Sequence, residues 1–157
     1  MSDEADVSRD GNPTVSIVVV TRNRRNDLAR LLEHLARLNP QPLEIIIVEN
    51  DGRRQCEDLV AEHAERLPVR YAVEPVAGVA RARNCGLELA RGEIIAFTDD
   101  DCEPVPTWLA ELSAPFVGNP HLGVVGGRTS TRLREGTLVE KFCLLDSSLS
   151  PFSAAKP

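Results

Sequence analysis

The stretch Ile94-Ile95-Ala96-Phe97-Thr98-Asp99-Asp100-Asp101 places three carboxylates directly behind a short apolar run. The apolar residues are typical of a strand buried in a parallel sheet. In an extended chain, Asp99 and Asp101 point to one side, about 6.6 Å apart, and Asp100 points to the other. Such a pair suits Mg²⁺ or Mn²⁺, which bind oxygen ligands and often the phosphates of a substrate. The triplet therefore predicts a site for a metal-bound diphosphate, with Asp101 as the direct metal ligand and Asp99 contacting ribose or a metal-bound water.

The triplet has an alternative role as a cap for the following helix. Pro104 and Pro106 fit the start of a helix just before Thr107, and aspartate is a favoured residue at that position. A cap requires one carboxylate and not three. The number of aspartates therefore favours the metal site over the cap.

Apolar runs and helical patterns alternate along the rest of the chain. Strands are predicted at 15–20, 43–48, 69–73, 93–98 and 122–127. Helices are predicted from a cap at Asn26 or Asp27 through leucines 28 to 38, and at 55–67, 79–90, 106–116 and 137–145. This alternation is typical of an α/β fold with a mostly parallel sheet flanked by helices.

Ligands of such sheets bind at the carboxyl ends of the strands. Three polar clusters follow predicted strands, at 21–24, 49–52 and 99–101, and should meet at one edge. Carboxylates at Glu49 and Asp51 can accept hydrogen bonds from a ribose or a base N–H, although 50–52 is also a typical turn sequence. Arg81 and Arg83 point in different directions on a helix, so one of them can face this edge.

Composition limits the class of partner. The 157 residues suit one domain, and the net charge of -6 argues against binding to nucleic acid. Arginine makes up 16 of the 18 basic residues, which fits either phosphate recognition or codon bias. Four cysteines without a zinc-type spacing, and the lack of a signal peptide or an integral membrane segment, predict a cytoplasmic protein. A peripheral contact with the inner membrane face stays open.

Four ordered segments together resemble a known family. They are 18–24, 44–50, 78–86 and 90–101, with Gly126-Gly127-Arg128 at the end, and they look like the family 2 glycosyltransferases of the GT-A (nucleotide-diphospho-sugar transferase) Rossmann-like fold. The resemblance implies a nucleotide-sugar donor, Mg²⁺ or Mn²⁺ on the triplet, and inversion at the anomeric carbon. Family members commonly carry aspartate at the position of Glu49.

The resemblance and the strand ends together give a set of candidate site residues. Thr21 and Glu49 match positions that hold the nucleoside, and Arg83 matches the basic residue of the family's Ala-Arg-Asn motif. The complete set of candidate substrate-binding residues is Thr21, Arg22, Asn23, Glu49, Asp51, Arg83, Asp99 and Asp100, with Asp101 and Asp99 as metal ligands. No serine nucleophile motif and no phosphate-binding G-x-x-x-x-G-K-[ST] loop is present. The general base is not identified, so no catalytic residue is assigned.

The predicted organisation is a polar tail at 1–13, a nucleotide-sugar-binding core at 14–128, and the start of an incomplete acceptor-side region at 129–157. The expected function is metal-dependent inverting transfer of a sugar to a hydroxyl of a sugar, lipid or other acceptor. The family's general base lies downstream of the Gly-Gly segment, so efficient transfer by this chain alone is not expected. The alternatives are a nucleotide-binding module or a truncated inactive remnant without turnover and, less favoured, a haloacid-dehalogenase-like phosphatase, in which Asp-x-Asp follows the first strand.

Overall fold

Four parallel strands form the central sheet. The computed structural model describes residues 12–119 and 121–127. The strands are β1 (Val15–Thr21), β2 (Glu44–Glu49), β3 (Val69–Val73) and β4 (Ile94–Asp99), in the spatial order β3-β2-β1-β4. Every neighbouring pair is parallel, which confirms the predicted fold class and brings the carboxyl ends of the strands to one edge.

Helices connect the strands and cover both faces of the sheet. They are α1 (Arg25–Leu35), α2 (Glu57–His63), α3 (Val79–Leu89) and α4 (Trp108–Ser113), the last followed by a 3₁₀ turn at Ala114–Phe116. The predicted helix at 55–67 is thus shorter in the structure, and the helix predicted at 106–116 is divided into two pieces. The helix predicted at 137–145 lies outside the described residues.

Two local predictions are wrong. Helix α1 begins at Arg25, and its N-cap residue Arg24 makes no capping side-chain hydrogen bond. Asn26 and Asp27 therefore lie inside the first turn, where Asp27 pairs with Arg30. Residues 122–127 form no strand, because three glycines in this hexapeptide weaken strand formation.

The side chains of β1 alternate between two cores, as period-two geometry requires. Ile17 and Val19 pack in the larger core with the leucines of α1, whereas Val18 packs in a smaller core with Ala82 of α3. Four leucines of α1 are fully buried at Leu28, Leu31, Leu32 and Leu35, and each contributes about 2 kcal/mol by burial. The two cores fix α1 and α3 on opposite faces, so both helices begin at the edge where the strands end.

A buried carboxylate joins the strands at their amino ends. Glu44 is 1% exposed and accepts hydrogen bonds from Ser16 Oγ at 2.9 Å and from the Arg91 backbone N–H at 2.7 Å. Its other oxygen forms salt bridges with Arg70 at 2.7 Å and Arg91 at 3.1 Å. Burial alone would raise the pKa of Glu44, but these hydrogen bonds lower it below its usual value. This cluster is structural and lies at the end of the sheet opposite the predicted site.

The described residues fall into two units that divide between Pro120 and His121. All of the strands and helices named above belong to the first unit. The part of the chain that the structure describes contains no helix with the length and apolar character needed to cross a membrane.

Candidate functional site

A cleft of about 500 Å³ lies at the carboxyl edge of the sheet. This volume is within the range of small-molecule sites, about 300–1,000 Å³. The ends of β1, β2 and β4 and the start of α3 contribute its walls, which consist of Val20, Thr21, Arg22, Arg24, Asn50, Ala77, Gly78, Val79, Asp99, Asp100 and Asp101. The structure therefore brings together Thr21, Arg22 and the aspartate triplet, as the sequence predicts.

The aspartate triplet forms a turn at the end of β4. The backbone N–H of Cys102 donates to the carbonyl of Asp99 at 3.2 Å, so the chain reverses at Asp100 instead of continuing as a strand. Asp100 is 4% exposed and accepts a hydrogen bond from Thr21 Oγ1 at 2.8 Å. Burial raises the pKa of Asp100, although the hydrogen bonds from Thr21 and Arg24 partly oppose that effect. Asp100 thus anchors the turn to the end of β1.

The two exposed aspartates of the triplet have different arginine partners. Arg24 Nη1 lies 2.8 Å from Asp101 Oδ2 and 3.2 Å from Asp100 Oδ1. Asp99 Oδ1 accepts a hydrogen bond from Arg83 Nη2 of α3 at 3.3 Å. The side chains of Asp99 and Asp101 are exposed and Asp100 is buried, which agrees with the expected alternation, although the turn brings one oxygen each of Asp100 and Asp101 to the same guanidinium. The assignment of Asp101 to the metal and of Asp99 to ribose or a metal-bound water stays a prediction.

The alternative in which the triplet caps the next helix is not supported. Helix α4 begins at Trp108, its N-cap residue is Thr107, and no side chain makes a capping hydrogen bond there. The start predicted at Pro106 is two residues early. The triplet is therefore separated from α4 by several residues, and its exposed carboxylates face the cleft.

Asn50 connects three elements at the floor of the cleft, a role that the sequence analysis did not assign. Its backbone N–H donates to the carbonyl of Thr21 at 2.9 Å, and its side-chain Oδ1 accepts from the backbone N–H of Gly78 at 2.8 Å. Asn50 is 3% exposed. These bonds hold the ends of β1 and β2 against the N-terminus of α3, where unpaired backbone N–H groups favour an anion.

Glu49 points into the protein interior. Its carboxylate accepts hydrogen bonds from the backbone N–H groups of Gln55 at 2.8 Å and Cys56 at 2.9 Å, and from the Tyr71 hydroxyl at 2.7 Å. Glu49 is 1% exposed, and it is not among the residues that line the cleft. Burial, followed by the bond to Glu49, raises the pKa of Tyr71, and burial raises the pKa of Cys56 to about 11. In this arrangement the Glu49 carboxylate binds the start of α2 and Tyr71, and its contact with a ligand stays a prediction.

We expect Glu49→Gln to destabilise the fold by about 2 kcal/mol, because the amide turns an N–H donor toward buried N–H donors. Tyr71→Phe should cost about 1 kcal/mol, since it removes only one of the three hydrogen bonds. Urea unfolding measures both changes. Nucleotide affinity of the folded Glu49→Gln variant should equal that of the wild type. Normal stability together with lost nucleotide binding would show instead that Glu49 contacts the ligand.

Asp51, in the loop between β2 and α2, lies beside two arginines. One is Arg53 of the same loop and the other is Arg22, which follows β1. Its Oδ1 accepts a hydrogen bond from the backbone N–H of Arg53 at 3.1 Å. This bond belongs to a turn, which the sequence analysis gave as the alternative to a ligand contact. Its Oδ2 is 3.4 Å from Arg53 Nε and 3.8 Å from Arg22 Nε, and it makes no hydrogen bond within the described part of the chain. Asn23, with a left-handed φ of 57°, accepts from Arg53 Nη1 at 3.5 Å. The structure therefore places Asn23 and Asp51 next to Arg22, outside the cleft walls.

The exposed carboxylates have the chemistry that Mg²⁺ or Mn²⁺ requires. Within residues 12–119 and 121–127, no three His, Cys, Asp or Glu side chains converge to hold a metal ion by themselves. A closed set is not required, because Mg²⁺ is commonly held by one or two carboxylates together with waters and substrate phosphates. The side chains of Asp99 and Asp101 are 67% and 53% exposed. The residues present therefore fit a divalent cation that binds together with a phosphate ligand.

Comparisons with known proteins give a consistent result. Residues 16–141 match the sequence model of the family described as glycosyl transferase family 2. Validoxylamine A glucosyltransferase of Streptomyces hygroscopicus subsp. limoneus is 31% identical over 119 residues, which is 73% of this chain and 26% of that protein. The chain thus spans well under half the length of this curated relative.

Solved glycosyltransferase structures share the fold. The mannosyltransferase PcManGT from Pyrobaculum calidifontis, in complex with GDP-Man and Mn²⁺, is 27% identical with a TM-score of 0.61, covering 74% of this chain and 36% of that one. S. aureus TarS 1-349, in complex with UDP-GlcNAc, is 24% identical with a TM-score of 0.61, covering 76% of this chain and 37% of that one. The fold is therefore that of the GT-A glycosyltransferases.

Proposed function

We propose, since the chain belongs to glycosyl transferase family 2, that it binds a nucleotide-sugar donor in the cleft and serves metal-dependent, inverting transfer of the sugar to an acceptor hydroxyl. The observation that carries this proposal is the convergence of three strand ends and the start of α3 on one cleft of about 500 Å³. The structure of PcManGT, which is 27% identical to this chain, was solved in complex with GDP-Man and Mn²⁺. The acceptor is a sugar, a lipid or another hydroxyl compound.

Each wall of the cleft contributes a different interaction to donor binding. Asp99 and Asp101 offer exposed carboxylates for the cation, with Asp99 also available to a ribose hydroxyl. The N-terminus of α3, held by Asn50, offers backbone N–H groups and the positive end of the helix dipole to phosphate. Arg22 and Arg24 offer guanidinium groups to the same anion. Thr21 holds Asp100 and thereby the turn that presents the other two aspartates.

Charge compensation is the main chemical task of this site. A divalent cation, when bound, acts as a Lewis acid that offsets the charge developing on the departing nucleoside diphosphate. The guanidinium groups and the helix N-terminus favour the same charge, so they stabilise the leaving group as it forms. Arg83 restrains Asp99 through its hydrogen bond at 3.3 Å and keeps this carboxylate at the cleft.

The test is a thermal-shift screen of this chain with nucleoside diphosphates, with and without Mn²⁺, followed by measurement of sugar release from the matching nucleotide sugars. Binding to the native state raises apparent stability by an amount set by affinity and concentration. We expect a nucleoside diphosphate to stabilise the protein in the presence of Mn²⁺ and much less without it. Equal stabilisation with and without Mn²⁺ would contradict metal dependence, and no stabilisation by any nucleoside diphosphate would contradict donor binding.

A further inference from the structure

Arg24 has its two acidic partners within the aspartate triplet. One nitrogen, Nη1, lies within hydrogen-bond distance of Asp100 Oδ1 and Asp101 Oδ2, at 3.2 and 2.8 Å. The Arg24 side chain is 52% exposed and lines the cleft. A cation of the protein itself, the Arg24 guanidinium, therefore contacts the carboxylates that the proposed function assigns to a metal ion.

Arginine and a divalent cation cannot share these oxygens at low cost. Both are attracted by the same negative charge, and two cations in contact repel each other. A metal ion that binds Asp101 must therefore compete with the guanidinium, which lowers the affinity for the metal alone. Carboxylates that already hold an arginine also repel each other less while no metal is bound.

A displaced Arg24 has a new partner available when a diphosphate enters the cleft. Arginine presents planar N–H donors that match phosphate oxygens, and the half-exposed Arg24 side chain already lines the cleft. We propose, resting on the proposed function, that Arg24 is a positioning residue that exchanges between the aspartate triplet and the diphosphate. It opposes the binding of the metal alone and supports the binding of metal together with nucleotide.

This exchange gives Arg24→Gln two effects of opposite sign. The affinity for Mn²⁺ alone should rise about three- to tenfold, since a competitor worth about one charge-assisted hydrogen bond is removed. The affinity for the nucleoside diphosphate at saturating Mn²⁺ should fall about fivefold or more, because the diphosphate loses a guanidinium contact. Arg24→Lys keeps the charge and should lie between the wild type and Arg24→Gln in both measurements. A merely structural role would weaken both affinities together.

Arg25→Gln is the matched control. Arg25 is the next residue, carries the same charge and pairs with Asp58 through Nη2 and Oδ2 at 2.8 Å, and it does not line the cleft. Electron paramagnetic resonance of free Mn²⁺ measures the metal affinity, and calorimetric titration of UDP and GDP with Mn²⁺ measures the nucleotide affinity. Circular dichroism verifies that each variant is folded.

The outcomes separate this inference from the proposed function. Tighter Mn²⁺ binding and weaker nucleotide binding in Arg24→Gln, with neither change in Arg25→Gln, supports the exchange. Unchanged or weaker Mn²⁺ binding in Arg24→Gln overturns it, as does the same tightening in Arg25→Gln, which would reflect net charge only. If neither UDP nor GDP binds with Mn²⁺ to the wild type while Mn²⁺ alone binds Arg24→Gln more tightly, the metal competition stands and the donor-binding proposal fails.

Discussion

Asp101→Ala should abolish the Mn²⁺-dependent part of nucleotide binding and leave the fold intact. Its side chain is 53% exposed, so no buried packing is lost, and removal of one anionic ligand also relieves repulsion among the carboxylates of the metal-free site. Loss of groups that merely support a metal ligand typically reduces metal affinity by about 10- to 100-fold, and loss of a ligand should cost at least as much. Asp99→Ala should weaken binding by a smaller factor, because this residue contacts ribose or a metal-bound water in the proposed arrangement.

Asp100 should behave differently from its two neighbours. It is buried and holds the turn through Thr21 at 2.8 Å, so Asp100→Ala leaves a buried hydroxyl without its acceptor and should cost about 1–3 kcal/mol of stability. Glu103→Ala is the matched control, since Glu103 is an exposed carboxylate two residues beyond Asp101. Calorimetric titration of nucleotide with and without Mn²⁺, together with urea unfolding, measures all four variants. Wild-type binding by both Asp99→Ala and Asp101→Ala would remove the metal role from the triplet.

The parallel sheet and its ligand edge could be predicted from the sequence because β-branched apolar runs end abruptly in polar residues. Val69–Val73 is predicted to the residue, and β1, β2 and β4 differ from their predicted bounds by one residue at one end or both. Such runs are typical of strands buried on both faces of a parallel sheet, and in this chain they alternate with helical patterns, so the fold class follows from local patterns. The prediction failed at 122–127, where a similar apolar pattern is interrupted by glycines.

Side-chain direction at the ligand edge could not be predicted. Glu49 and Asn50 are adjacent in sequence. The Glu49 carboxylate nevertheless accepts hydrogen bonds from the start of α2, whereas Asn50 lines the cleft. The contact between Arg24 and the triplet spans 76 and 77 positions in sequence. The register of β1 and β4 carries information on this contact. Because Val20 pairs with Asp99, Thr21 and the loop that follows it lie beside Asp100. Predicting that register would have identified Arg24 as a neighbour of the triplet.

Two glycines that pack against β1 should tolerate alanine to very different degrees. A Cβ at Gly92 would lie 2.5 Å from the backbone nitrogen of Ser16, whereas a Cβ at Gly86 would lie 2.4 Å from Cγ1 of the Val18 side chain. Backbone inside a paired strand cannot move without breaking the ladder, and Ser16 also accepts the N–H of Gly92 at 2.8 Å. A valine side chain can rotate or shift. We therefore expect Gly92→Ala to cost about 3 kcal/mol or more, and Gly86→Ala about 1–2 kcal/mol.

Whether Gly86→Ala raises or lowers the stability of the protein distinguishes two opposing effects. In an exposed helix interior, alanine is favoured over glycine by about 1 kcal/mol, so a destabilised Gly86→Ala shows that close packing of α3 on β1 outweighs helix propensity. Glu88→Ala is the control in α3, because Glu88 is exposed and the change should alter stability by less than about 0.5 kcal/mol. Urea unfolding gives the three values. A Gly92→Ala variant as stable as wild type would contradict the contact between the start of β4 and β1, and with it the register that brings Asp100 to Thr21.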